Sequence, residues 1–230
     1  MIPLRDDNPT NLTPWVVRAF VVACVVVFLW QFSLGPEAGQ RAVYALGAIP
    51  AVLLGGAQLP ADLVWVPTQL TVLTSMFLHG GWMHLIGNML YLWIFGDNVE
   101  DSMGHGRFAV FYIICGVVAV LAQALPAPGS EIPMIGASGA ISGVLGAYVL
   151  LFPRAHVLVA IPFGFYAHMV RLPALAVLGF WFFLQLLSTF MTPEGEGGVA
   201  FRAHLGGFVA GLALIPLFKR RDVPLWRFHR

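Results

Sequence analysis

Apolar runs of about the length that crosses a bilayer follow one another along this chain, and that spacing leaves few folds open to it. A hydrocarbon core of about 30 Å requires close to 20 apolar residues per helix. Residues 15–34, 79–96, 108–125, 138–152, 172–191 and 203–218 supply six such candidates, separated by Gly, Pro and charge. Inside hydrocarbon every backbone N–H and C=O must find its partner within the protein, so runs of this length read as helices. Of the 230 residues, 59% are hydrophobic and 10% are charged, where a soluble domain carries about 25% charge. The expected fold is all-α and polytopic. Six membrane-crossing helices (residues 15–218) lie between a cytoplasmic N-terminal tail (1–14) and a basic cytoplasmic C-terminal tail (219–230).

Direction follows from the placement of positive charge. With the N-terminus cytoplasmic, ten of the twelve Lys and Arg residues fall on that side, and only Arg41 and Arg202 fall outside. Both termini are then cytoplasmic. The stretch Met1 to Thr13, with Asp6 and Asp7, precedes an apolar run that lacks a small-residue cleavage site, which reads as a retained signal-anchor. Residues 35–70, too long for a turn, read as an ordered loop against or partly within the membrane surface. Residues 153–171 are expected to rest on the interface. The net charge of +1 disfavours a nucleic-acid partner. Cys24 and Cys115 sit inside apolar runs and read as small core residues, not disulfide or zinc cysteines.

Polar groups inside spans are costly and mark candidate sites. The second, fourth and sixth spans all start on the outer side, so their first residues share one depth: His79, His84 and Asn88; Ser138; and His204. The fourth span, 138–152, is about 22 Å long at 1.5 Å per residue, so Ser138 is expected roughly 8 Å below the outer boundary, reached through a water-filled cavity. Gly139 with Gly143, and Gly207 with Gly211, form small-xxx-small faces that let two helix backbones approach closely. That approach would bring Ser138 to His204, a hydroxyl to a neutral imidazole able to take its proton. His84 and Asn88 are four apart, on one helix face, and suit an oxyanion. His79 is expected nearer the surface, in a supporting role. Glu100 and Asp101 read as solvated anchors at the cytoplasmic end of the second span, pairing with Arg107.

Three stretches, His79-Gly80-Gly81-Trp82-Met83-His84-Leu85-Ile86-Gly87-Asn88, Gly136-Ala137-Ser138-Gly139 and Ala203-His204-Leu205-Gly206-Gly207 with Gly211, together resemble the rhomboid family of intramembrane serine proteases. The resemblance runs from about residue 70 to 215. It implies a six-helix bundle and a Ser138–His204 dyad without an acidic third member. It also implies an oxyanion hole made by His84, Asn88 and the Ser138 backbone N–H, with no metal or organic cofactor. Substrates would be single-span membrane proteins cleaved near the outer face, admitted by movement of the fifth span or the cap loop. Two positions depart from the family pattern. Gln69-Leu70-Thr71 stands where many members carry Trp-Arg, and Ser142 where many carry an aromatic residue that supports the histidine ring, so another group must orient His204. The resemblance and the absence of an extra domain point to a bacterial plasma membrane, with the active site opening to the extracytoplasmic side.

Other readings compete. His79, His84 and His204 could hold zinc, but no acidic ligand accompanies them and His-Glu-x-x-His is absent. Paired intramembrane aspartates are missing, Asp97 standing alone. A transporter fits poorly without internal repeats. A catalytically inactive rhomboid-like protein that binds membrane clients is the alternative from another class, and loss of Ser138 or His204 would have signalled it.

Overall fold

The computed structural model describes residues 1–164, 166–191 and 200–226. Part of the expected C-terminal tail, residues 227–230, lies outside them, as does most of the connection before the last helix. The helices are α1 (Trp15–Ser33), α2 (Gly35–Leu46), α3 (Pro50–Leu53), α4 (Thr71–Thr74), α5 (Trp82–Met103), α6 (His105–Ala124), α7 (Ser138–Leu151), α8 (Ala174–Met191) and α9 (Phe201–Phe218). Among them α1, α6 and α9 are long and apolar enough to cross a bilayer. Val22, Val26 and Phe32 of α1, Phe183 of α8 and Leu217 of α9 are exposed. An outer surface of that kind is stable against lipid tails and would be costly in water.

The centre of the bundle is α7, buried from Gly139 through Tyr148. A helix apolar on every side is enclosed on every side, and α5, α6, α8 and α9 surround this one. Its closest neighbour is α9. A Cβ at Gly207 would overlap the Gly139 carbonyl oxygen, and one at Gly211 the Gly143 carbonyl oxygen. Two backbones therefore touch, the packing by which helices associate when no hydrophobic force separates them from lipid. This contact fixes the start of α7 beside the start of α9.

Helix α5 runs on past the expected end of the second span, to Met103. Its last turns carry polar groups buried inside the protein, Glu100 and Asp101 among them, contrary to the expectation of solvated anchors. Glu100 is fully buried and accepts the N–H groups of Val16 (3.0 Å) and Val17 (2.8 Å), filling bonds that the first turn of α1 cannot make within its own helix. Arg107, expected to pair with the acidic residues, donates to the Lys219 carbonyl at 3.3 Å. Asp97 accepts from Asn98 N and Nδ2 at 2.7 and 3.0 Å.

The fold is not wholly helical. Strands β1 (Ile2–Asp6), β2 (His156–Phe163) and β3 (Tyr166–Pro173) form an antiparallel sheet in that order. Thus the segment expected to lie on the interface is a hairpin, with His156 opposite Pro173 and Phe163 opposite Tyr166. Part of the expected N-terminal tail is its third strand, Asp6 opposite Val157. Val157 and Val159 are fully buried, which secures the hairpin to the bundle. Asp6 accepts hydrogen bonds from Tyr148 of α7 and Asn98 of α5. The 35–70 segment, expected as a loop, holds α2, α3 and short 3-10 turns at 61–63 and 68–70.

Candidate active site

Ser138 is the first residue of α7, and the chain reaches it through Gly136, whose φ of +117° lies where side-chain-bearing residues rarely go. Gly136 N–H donates to the Ser75 carbonyl at 2.8 Å, which pins the approach. His204 lies one turn into α9 and is buried. The glycine contact between the two helices sets their starts side by side, and Ser138 Oγ is 2.8 Å from His204 Nε2. The opposite ring nitrogen, Nδ1, is 2.7 Å from Gln185 Oε1 on α8. An amide oxygen cannot donate, so Nδ1 carries the proton, and Nε2 is left as an acceptor for the serine O–H. This hydroxyl can lose its proton to the ring as it attacks.

The imidazole packs against Trp181, centroids 5.9 Å apart at 35°, and meets the edge of Phe201 at 6.5 Å. Ser142, where an aromatic support would be expected, instead donates to the Ser138 carbonyl at 2.6 Å. Trp181 and Gln185 thus hold the ring from α8. Neither was singled out in the sequence, although Gln185 is the one amide side chain in its apolar run and lies one turn from Trp181.

His84 and Asn88 sit one turn apart on α5, facing the same point. Gly80 N–H donates to His84 Nδ1 at 3.3 Å, so the proton on that ring belongs to Nε2. A Cβ on residue 136 would lie 2.7 Å from His84 Nε2 and 3.6 Å from Asn88 Nδ2, so both donors converge beside the approach to Ser138. Asn88 Nδ2 is buried with no hydrogen-bond partner among the described residues. A buried donor left open costs about 1–3 kcal/mol, and it is tolerable where an incoming oxygen completes it.

His79 lies against α1 and α5. It is fully buried, bonded through Nδ1 to the Phe77 carbonyl at 3.2 Å. Gln31 of α1 covers its backbone, Nε2 donating to the His79 carbonyl at 3.0 Å, and its ring meets His84 edge-on at 5.2 Å. No group of three His, Cys, Asp or Glu side chains among the described residues is gathered to hold a metal. Gly207 acts through the helix contact already described, against the Gly139 carbonyl, while a Cβ at Gly139 itself would meet the Ala119 side chain of α6 at 2.5 Å.

All four polar side chains, Ser138, His204, His84 and Asn88, face one cavity of about 1030 Å³. Its apolar walls include Trp82, Met83, Tyr91 and Trp181, and Arg202 stands at its lining beside Phe201. A hydroxyl paired with an imidazole, faced by two N–H donors, suits acyl transfer.

The chain is similar to known proteins over much of its length. Rhomboid protein 1, mitochondrial, of Saccharomyces cerevisiae is 28% identical over 192 residues, covering 75% of this chain and 52% of that protein. Rhomboid protease GluP of Bacillus subtilis is 36% identical over 146 residues, covering 63% of this chain and 26% of its own length. Rhomboid-like protease 3 of Toxoplasma gondii is 26% identical over 223 residues, covering 96% of this chain and 73% of its own length. The chain thus spans about half of the yeast relative and a quarter of the Bacillus one. The family model described as Rhomboid domain matches residues 67–221, which hold every polar residue of the cavity, and the chain is an integral membrane protein of the rhomboid family.

Proposed function

We propose that this protein is an intramembrane serine endopeptidase that hydrolyses peptide bonds in or next to the transmembrane segment of single-span membrane proteins. The observation that carries the reading is the 2.8 Å contact of Ser138 Oγ with His204 Nε2 at a cavity among apolar helices. Helices α1, α5, α6, α7, α8 and α9 would cross the bilayer, with both termini cytoplasmic and the cavity open to the opposite side. Helix α7 has 14 residues, about 21 Å against a hydrocarbon core of about 30 Å. Its first residue, Ser138, is then recessed below the outer boundary, at the depth of a substrate's own transmembrane helix.

The chemistry follows from the donors and acceptors. Ser138 attacks the scissile carbonyl while its proton passes to His204 Nε2. Negative charge on the carbonyl oxygen is met by His84 Nε2–H, Asn88 Nδ2–H and the Ser138 backbone N–H, which has no intrahelical acceptor at the start of α7. The imidazolium returns the proton to the leaving amine. Water entering the cavity repeats the sequence on the acyl-enzyme, restoring Ser138. Movement of α8, the expected fifth span, would admit the substrate.

The test is reconstitution of wild type, Ser138→Ala and His204→Ala with a tagged single-span substrate. Wild type alone is expected to release the cleaved fragment. Cleavage by Ser138→Ala at the wild-type rate would end the protease reading, and capture of the substrate by wild type without cleavage would favour a client-binding role.

A further inference from the structure

We infer that Gln185 is a positioning residue for the base of the dyad, occupying the place that an acidic third member fills in other serine hydrolases. The inference rests on the protease reading above and names the group that makes it work. The buried His204 has two ring nitrogens and two partners: Ser138 Oγ at 2.8 Å on Nε2 and Gln185 Oε1 at 2.7 Å on Nδ1. A neutral imidazole carries one proton, and attack by serine needs it on Nδ1. In the other tautomer Nε2–H donates to the hydroxyl, and the base is absent. An amide oxygen at hydrogen-bond distance from Nδ1 selects the productive form.

Gln185 also fixes the plane of the ring. Its own helix, α8, contributes Trp181 one turn earlier, whose ring lies 5.9 Å from that of His204 at 35°. On α7 the position one turn past the nucleophile is Ser142, which is engaged with the Ser138 carbonyl and contributes no ring. Orientation of the base is thereby transferred from α7 to α8. A neutral amide does this without burying a carboxylate, whose desolvation in an apolar bundle would be costly. The arrangement ties the dyad to helix position: any displacement of α8 that withdraws Gln185 frees the imidazole to rotate.

The experiment compares wild type, Gln185→Leu, Gln185→Glu and Ser138→Ala in proteoliposomes with a tagged single-span substrate, reading kcat and KM separately and the thermal midpoint of each variant. Gln185→Leu keeps the bulk and removes the acceptor, and kcat is expected to fall by on the order of 10–100-fold with KM little changed, the range seen when a histidine loses its orienting partner. Gln185→Glu restores an oxygen acceptor at the same reach and is expected to recover most of the lost kcat. A leucine variant that cuts at the wild-type kcat overturns the inference. So does a glutamate variant that folds with the wild-type midpoint yet is as slow as leucine. Wild type that cuts no faster than Ser138→Ala sinks the protease reading itself, a result distinct from failure of the Gln185 assignment.

Discussion

Gly136→Ala places a methyl group where the two proposed oxyanion donors meet. The residue has φ +117°, a conformation whose cost for a side-chain-bearing residue is about 1–3 kcal/mol. The new Cβ would lie 2.7 Å from both Cε1 and Nε2 of His84. Contact between such atoms is relaxed near about 3.5 Å, so the imidazole must retreat by about 0.8 Å. The backbone cannot easily yield in its place, since Gly136 N–H is bonded to the Ser75 carbonyl at 2.8 Å. A displacement approaching 1 Å at a group that acts in the transition state costs about 10²-fold. The expected outcome is a kcat lower by about 10²-fold, with KM little changed because the lost interaction forms only in the transition state. Steady-state cleavage in proteoliposomes, with thermal unfolding of the same preparations, reads both effects. A variant that cuts at the wild-type kcat would refute the placement of His84 against the scissile carbonyl.

Three further outcomes follow from particular contacts. Asn88→Ala removes one donor and should lower kcat by about 10²–10³-fold in the cleavage assay; activity within a few-fold of wild type would mean that the open Nδ2 serves another purpose. Glu100→Gln leaves one of the two α1 N–H groups without its carboxylate oxygen and should destabilise the fold by about 1–3 kcal/mol, read by chemical denaturation in detergent; an unchanged midpoint would contradict the capping role. Asp6 has its carboxyl raised from 3.8 to about 7, chiefly by burial against the bundle, with the Tyr148 hydrogen bond opposing and the charges of Asp97 and Asp7 adding. Because the unfolded chain gives up this proton first, stability should decline as pH rises from about 4 to 7. Asp6→Asn should remove that part of the slope in thermal midpoints across the range, and a slope unchanged by the substitution would assign it to other groups.

The helices of the bundle are legible in the sequence because each is a continuous apolar run, a signal that needs no knowledge of neighbours. The first span shows this: expected over 15–34, it is found as Trp15–Ser33. That Ser138, His84, Asn88 and His204 face one cavity is legible for a related reason, since polar groups in such runs are few. What escapes is set by partners distant in the chain. Strand β1 begins with Ile2-Pro3 and ends at Asp6, a stretch that reads as a tail until it is paired with His156–Phe163, about 150 residues later. Glu100 looks solvated at a helix end until the N–H groups of Val16 and Val17 are brought to it. The supporting place of His79 gives no hint of Gln31 of α1, which covers its backbone. Gln185 carried a visible signal as a polar residue in an apolar helix, and its meaning depended on the ring it faces.

The central claim, a nucleophile at Ser138 activated by His204 within a membrane bundle, is tested most directly by a serine-reactive fluorophosphonate applied to the protein in lipid, with the modified peptide identified by mass. A single adduct on Ser138, lost in His204→Ala, is the predicted result. An unlabelled protein, or an adduct on Ser142 or Ser75 that persists without the histidine, would contradict it.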